Sequence, residues 1–145
     1  MSDFQVDPYL CSPGSKLIFA CSGGSDTGEI ADRVARKLSK DGVGKMFCLA
    51  GIGGWINWII ISTDTALKVL VIDGCPLNCA KKTMEHSGFN NFEHICLADL
   101  GLQKGKSPVT EGTIEIIADK IKAMVTYLWN VPEECKDRES AGNIS

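Results

Sequence analysis

Two cysteines stand four residues apart in "VLVIDGCPLNCAKK", Cys75 and Cys79, directly after an apolar run that stops at Asp73-Gly74. Thiols so placed serve one of three ends. They ligate a soft metal, trade electrons as a dithiol–disulfide pair, or fill a core as small hydrophobes. The chain carries seven cysteines: Cys11, Cys21, Cys48, Cys75, Cys79, Cys96 and Cys135. An odd number, in a chain of 145 residues that can bury its own core, does not read as a disulfide framework. Clustered cysteines in a reducing compartment are more often metal ligands or reactive thiols.

Which sulfurs can meet depends on the elements that carry them. "KLIFAC" (16–21) reads as a buried strand and "SGGSDTGE" (22–29) as a Gly-rich turn, with Asp26 and Glu29 fitting a helix-start capping box. "IADRVARKL" (30–38) has Ile30, Val34 and Leu38 at steps of four, an amphipathic helix ended by Asp41-Gly42. "KMFCLA" (45–50) reads as a second strand and "GIGG" (51–54) as a turn. Trp55 to Ile61 is expected to be a short helix, because a parallel pairing of the flanking strands needs a crossover. "KVLVID" (68–73) is the third strand. Pro76 suits a first helical position, which makes Cys75 the cap of a helix running to about His86. "HICLADL" (94–100) is a fourth strand, and the last helix spans about Val109 to Trp129 with the stripe Ile114, Ile117, Ile121 and Val125.

This alternation predicts one α/β domain over residues 16–130, between an N-terminal arm (1–15) and a polar C-terminal tail (131–145). The expected architecture is a three-layer Rossmann-like (flavodoxin-like) sandwich with a mainly parallel sheet of about four strands. Such sheets place their sites at the carboxyl ends of the strands. Cys21 and Cys48 fall at or near two such ends, Cys75 follows a third by two residues, and Cys79 stands on the next helical turn. These four thiols are the candidate metal ligands, suited to a tetrahedral soft-metal site. Helix N-termini favour the thiolate, and Gly23, Gly24, Gly51 and Gly53 are candidates to turn backbone amides toward the bound group. Cys96 reads as a buried hydrophobe, and Cys11 and Cys135 as incidental.

Other motifs carry less. Gly23 and Gly28 have the separation of a phosphate loop, but Glu29 stands where its lysine belongs. "GIGGWI" lacks the third glycine of a dinucleotide fingerprint. His86 lies about 10 Å along the helix from Cys79, and His94 begins a strand at the wrong end of the sheet, so both are expected at the surface. Asp73 could hold a loop or support a site ligand, and turn chemistry at Asp-Gly is the plainer explanation. Trp55, Trp58 and Ile59 read as core or as a homo-oligomer contact, with a lid over the site as the lesser alternative. A net charge of −3 without a basic stripe argues against nucleic acid. "WINWIII" is too short to span a bilayer, and the acidic opening "MSDFQVDPYL" has no apolar core. A cytoplasmic protein without membrane attachment is expected.

Four segments in order, "FACSGGSDTGEIADRVARKL", "FCLAGIGG", "VLVIDGCPLNCAKK" and "HICLADLGLQKG", resemble the DGC-domain family, named for Asp-Gly-Cys. The resemblance runs from about Lys16 to Lys106 and through the last helix. It implies zinc binding through Cys21, Cys48, Cys75 and Cys79, the four that topology also selects. It implies a site more firmly than an activity, so whether the chain is an enzyme stays open. Three functions compete: zinc storage, transfer or zinc-dependent chemistry; a thiol–disulfide or persulfide enzyme with Cys75 as nucleophile, resolved by Cys79 or Cys21; and an iron–sulfur protein.

Overall fold

Side-chain alternation builds the sheet. In strand β1 (Lys16–Ala20), Leu17 and Phe19 pack against one layer of helices, and Ile18 and Ala20 against the other. Strand β3 (Lys68–Asp73) repeats the pattern, with Val69 and Val71 on the first face and Leu70 and Ile72 on the second. The computed structural model describes residues 14–130; most of the arm, the whole tail, Cys11 and Cys135 lie outside the described residues.

The four strands are all parallel, in the order β2-β1-β3-β4, where β2 is Lys45–Met46 and β4 is Glu93–Cys96. Helices α1 (Asp26–Lys40) and α5 (Glu111–Asn130) cover one face. Their stripes Ile30, Val34, Leu38 and Ile114, Ile117, Ile121, Val125 are buried on Ile18, Leu70, Ile72 and Ile95. Helices α2 (Leu49–Gly53), α3 (Asn57–Asp64) and α4 (Cys79–His86) cover the other through Ile52, Ile59, Ala80 and Met84. The result is the expected three-layer sandwich.

Several boundaries differ from expectation, each for a local reason. Strand β2 pairs over two residues only; Cys48 then caps α2, so "GIGG" is largely helix. Gly51 is buried there, and an added Cβ would meet the Ile59 side chain that packs over it. Helix α1 is capped by Ser25, whose Oγ accepts the Gly28 N–H at 3.1 Å, rather than by Asp26. Strand β4 stops at Cys96, and Leu97–Leu100 forms a 3-10 turn. Helix α4 begins at Cys79, so Pro76 lies in the preceding turn and Cys75 is not its cap.

Among the described residues no helix is long and apolar enough to cross a membrane. Trp55 is exposed between α2 and α3, whereas Trp58 is half-buried edge-to-face on Phe47 at 5.7 Å, and Ile59 is core. His86 is exposed, as expected.

Candidate functional site

The chain leaves β1 and β3 side by side, and β2 lies on the other side of β1, so the strand order reverses between β1 and β3. Open parallel sheets form a crevice beyond the strand ends at such a reversal. Cys21 follows β1 and Cys75 follows β3, so both stand at this point. Cys21 continues the sheet by donating its N–H to the Ile72 carbonyl at 3.0 Å. Its sulfur receives the Gly74 N–H at 3.4 Å, across to the neighbouring loop. Gly74 is not among the glycines that the sequence marks as candidates, yet its amide reaches the Cys21 sulfur.

Steric demand explains the glycines around it. A Cβ on Gly74 would lie 2.6 Å from the Thr27 carbonyl and 2.8 Å from the Gly28 nitrogen, so the turn after β3 rests on the first turn of α1. A Cβ on Gly28 would lie 2.6 Å from the Gly23 carbonyl oxygen. The separation of Gly23 from Gly28 thus serves backbone packing, not a phosphate cradle. Gly24 shares this loop, whereas Gly51 and Gly53 belong to α2, where the Gly51 N–H is engaged by the Cys48 carbonyl at 3.0 Å.

Asp73 organises the other half. Its side chain is 1% exposed, with Oδ1 accepting the Ala80 N–H at 2.8 Å and Oδ2 the Lys81 N–H at 3.0 Å. The carboxylate therefore caps α4 from the end of β3 and fixes where Cys79 stands. Its Oδ2 also lies 2.8 Å from Nε2 of His94, which is not a surface histidine. Residues 71 and 94 are register partners, and adjacent strands bring the imidazole within reach of the carboxylate. Burial pushes the Asp73 carboxyl up, but the bonds from His94, Ala80 and Lys81 outweigh it and hold the group below the ordinary carboxylate value. This pairing left no local signal in the sequence, since it needs the order of β3 and β4.

A polar string runs from the Cys21 loop toward Cys48. Ser22 Oγ donates to Asp32 at 2.8 Å, and Asp32 accepts from Arg36 Nε at 2.7 Å. The bond to Asp32, and then Asp32's charge, raise the Arg36 pKa; a lesser contribution comes from Cys48, within electrostatic reach of the guanidinium. Beyond the 3-10 turn, Asp26 accepts the Gly105 and Ser107 N–H groups at 2.9 and 3.0 Å, tying that loop to the start of α1. Those two bonds hold the Asp26 carboxyl below its usual range.

The four candidate cysteines thus follow the carboxyl ends of the strands, Cys21 and Cys75 on loops and half-buried, Cys48 capping α2 and Cys79 opening α4, both exposed. All five cysteines among the described residues are free thiols. Cys96 is buried, and burial first, then the charges of Asp99 and Asp73, raise its thiol pKa, as suits a small core residue. Among the described residues no three His, Cys, Asp or Glu side chains are drawn together closely enough to hold a metal ion. Ser22, Trp55 and Asn78 are the described non-glycine residues with positive φ, at 48°, 56° and 53°. A cavity of about 610 Å³ opens at the opposite end of the sheet, lined by Leu67, Lys68, Phe89 and Phe92, and has no cysteine in its wall.

The DGC-domain family model matches residues 17–121. The chain is 32% identical over 88 residues to the anaerobic and virulence modulator AnvM of Pseudomonas aeruginosa, covering 61% of this chain and 67% of that protein. No solved structure is significantly similar.

Proposed function

The chain belongs to the DGC-domain family, and from that premise we propose that its sulfur-bearing rim is a zinc site that takes up and releases the ion. The carrying observation is the Gly74 N–H on Cys21 Sγ at 3.4 Å, at the strand-order reversal where Cys75 follows the neighbouring strand. The donor chemistry fits a soft divalent metal: Cys21, Cys48, Cys75 and Cys79 would hold it, and the ion would supply positive charge and Lewis acidity. Two of these thiols, Cys48 and Cys79, are exposed. That favours exchange over a closed structural knot. A reducing compartment such as the cytoplasm suits thiols kept free.

A second reading has its own support. Cys79 is exposed on the first turn of α4, and the relative's name describes an anaerobic modulator. In this reading Cys75 and Cys79 lose two protons and two electrons to a disulfide-class oxidant and join as a disulfide. The deciding experiment is anaerobic purification without added histidines, with metal per chain and free thiols counted together. About one zinc per chain, lost in Cys21→Ser and in Cys75→Ser, is the result expected. A metal-free protein whose Cys75–Cys79 disulfide cycles with reductant refutes zinc in favour of the thiol pair, and a brown protein points to iron–sulfur.

A further inference from the structure

A bulky side chain rarely takes the left-handed backbone, because its Cβ crowds the following carbonyl. Trp55 does so, at φ 56°, in the link between α2 and α3. The chain gains little packing for that strain, since the residue remains 64% exposed. Trp58, three residues on, is packed edge-to-face on Phe47 instead. Strain kept without burial points to a position held for contact with something outside the core. Trp55 borders an open cleft of about 600 Å³ whose other walls are Gly53, Lys82, Thr83, His86 and Ser87. That volume lies within the roughly 300–1,000 Å³ of clefts that take small ligands. No cysteine lines it, so it is separate from the sulfur-bearing rim. Its floor is the packing of α2 on α4: Ser87 Oγ donates to the Ile52 carbonyl at 3.4 Å, and a Cβ on Gly53 would lie 3.8 Å from Thr83 Cγ2.

The chemistry of the wall selects the ligand. Lys82 and His86 are four residues apart, so α4 presents both on one face, and both are exposed. The carboxylate between them in sequence, Glu85, faces Lys81 at 3.9 Å. Among the described residues Lys82 therefore forms no ion pair. The Thr83 and Ser87 hydroxyls already donate to the Cys79 and Ile52 carbonyls, which leaves the Lys82 ammonium and the His86 ring as the donors on offer. An exposed indole beside them supplies a flat apolar surface. We infer that this cleft binds a small anion that carries a flat ring. The ring stacks on the Trp55 indole, and the phosphate or carboxylate is held by Lys82 and His86. The inference is independent of the zinc reading, because it uses none of the residues assigned to the metal.

Two ring-bearing anions serve as probes, adenosine monophosphate for the phosphate and 2-naphthoate for the carboxylate. Adenosine, which lacks the anion, and inorganic phosphate, which lacks the ring, are the controls. Each is titrated into the full chain, with the Trp55 indole N–H and the Lys82 amide followed by NMR. At least one ring-bearing anion is expected to move both signals and to bind more tightly than either control, and the tighter of the two identifies the anionic group. Trp55→Gly removes the ring yet suits the left-handed backbone, so the fold is kept. It is expected to weaken that probe roughly tenfold, the worth of one stacked ring. Lys82→Gln, at an exposed position, is expected to weaken it roughly threefold and to reduce its salt dependence. No shift with either ring-bearing anion at millimolar concentration overturns the inference. So does a probe that binds no more tightly than the controls, or one affinity shared by all three proteins.

Discussion

Replacing Asp73 by asparagine tests whether one carboxylate organises the β3 end of the rim. The side chain is 1% exposed and accepts two backbone N–H bonds besides its contact with His94. An asparagine keeps one acceptor but turns an NH₂ toward groups that also donate. Loss of a helix cap costs about 0.5–2 kcal/mol, and a bond to a charged group contributes about 1.5–3 kcal/mol. With one acceptor kept, Asp73→Asn is expected to destabilise by about 3 kcal/mol, or roughly 6–12 °C in Tm for a domain of this size. Thermal melts of wild type, Asp73→Asn and the exposed control Asp119→Asn measure it. The pH dependence supplies a second arm. The folded pKa of Asp73 is below the ordinary carboxylate value, so its contribution is complete above that value and disappears as pH falls through the folded pKa. The gap between wild type and variant is therefore flat from neutral pH down to about 4 and narrows in stronger acid. A melt of Asp73→Asn within a degree or so of wild type at pH 7, or a gap that widens in acid, refutes the reasoning.

Gly74→Ala places a Cβ 2.6 Å from the Thr27 backbone and is expected to destabilise by about 2–3 kcal/mol in denaturant titrations, whereas Gly24→Ala meets nothing within 4 Å and stays within about 0.5 kcal/mol. Asp26→Ala removes the acceptor for Gly105 and Ser107, so amide exchange and proteolysis at residues 103–107 accelerate while the core amides stay protected. Because that carboxyl is held below its usual range, the wild-type loop loosens in the same way only in acid below about pH 4. Met84→Ala, at a side chain with no exposure beneath α4, is expected to lower stability by about 2–5 kcal/mol while leaving Cys21 alkylation unchanged.

The sheet was legible because its residues repeat a pattern that burial enforces. "KLIFA" and "KVLVID" are apolar on both faces, as buried parallel strands must be, and the α5 stripe recurs at helical spacing. Placement of Cys21 and Cys75 at strand ends followed directly. The start of α4 was misread because Pro76 offered a local signal, while the actual cap, Asp73, works from seven and eight residues away. His94 was misplaced for the same kind of reason, since only the pairing of β3 with β4 brings its ring to Asp73. Strand β2 is short because its chain turns into α2 at Cys48, and nothing in "KMFCLA" distinguishes a strand from a strand that stops early.

Ser22 and Asn78, both left-handed, each adjoin a cysteine of the rim. An engineer seeking heat resistance would turn to such positions first, since glycine relieves a strained backbone at little steric risk. Here that route trades against use. Ser22→Gly gives up the hydroxyl that leads through Asp32 toward Arg36, and Asn78→Gly removes the side chain from the turn that joins Cys75 to Cys79. Thermostabilised forms of this domain should therefore be screened for thiol and metal behaviour before melting temperature, because the most accessible gains in endurance sit on the residues that keep the sulfurs in working order.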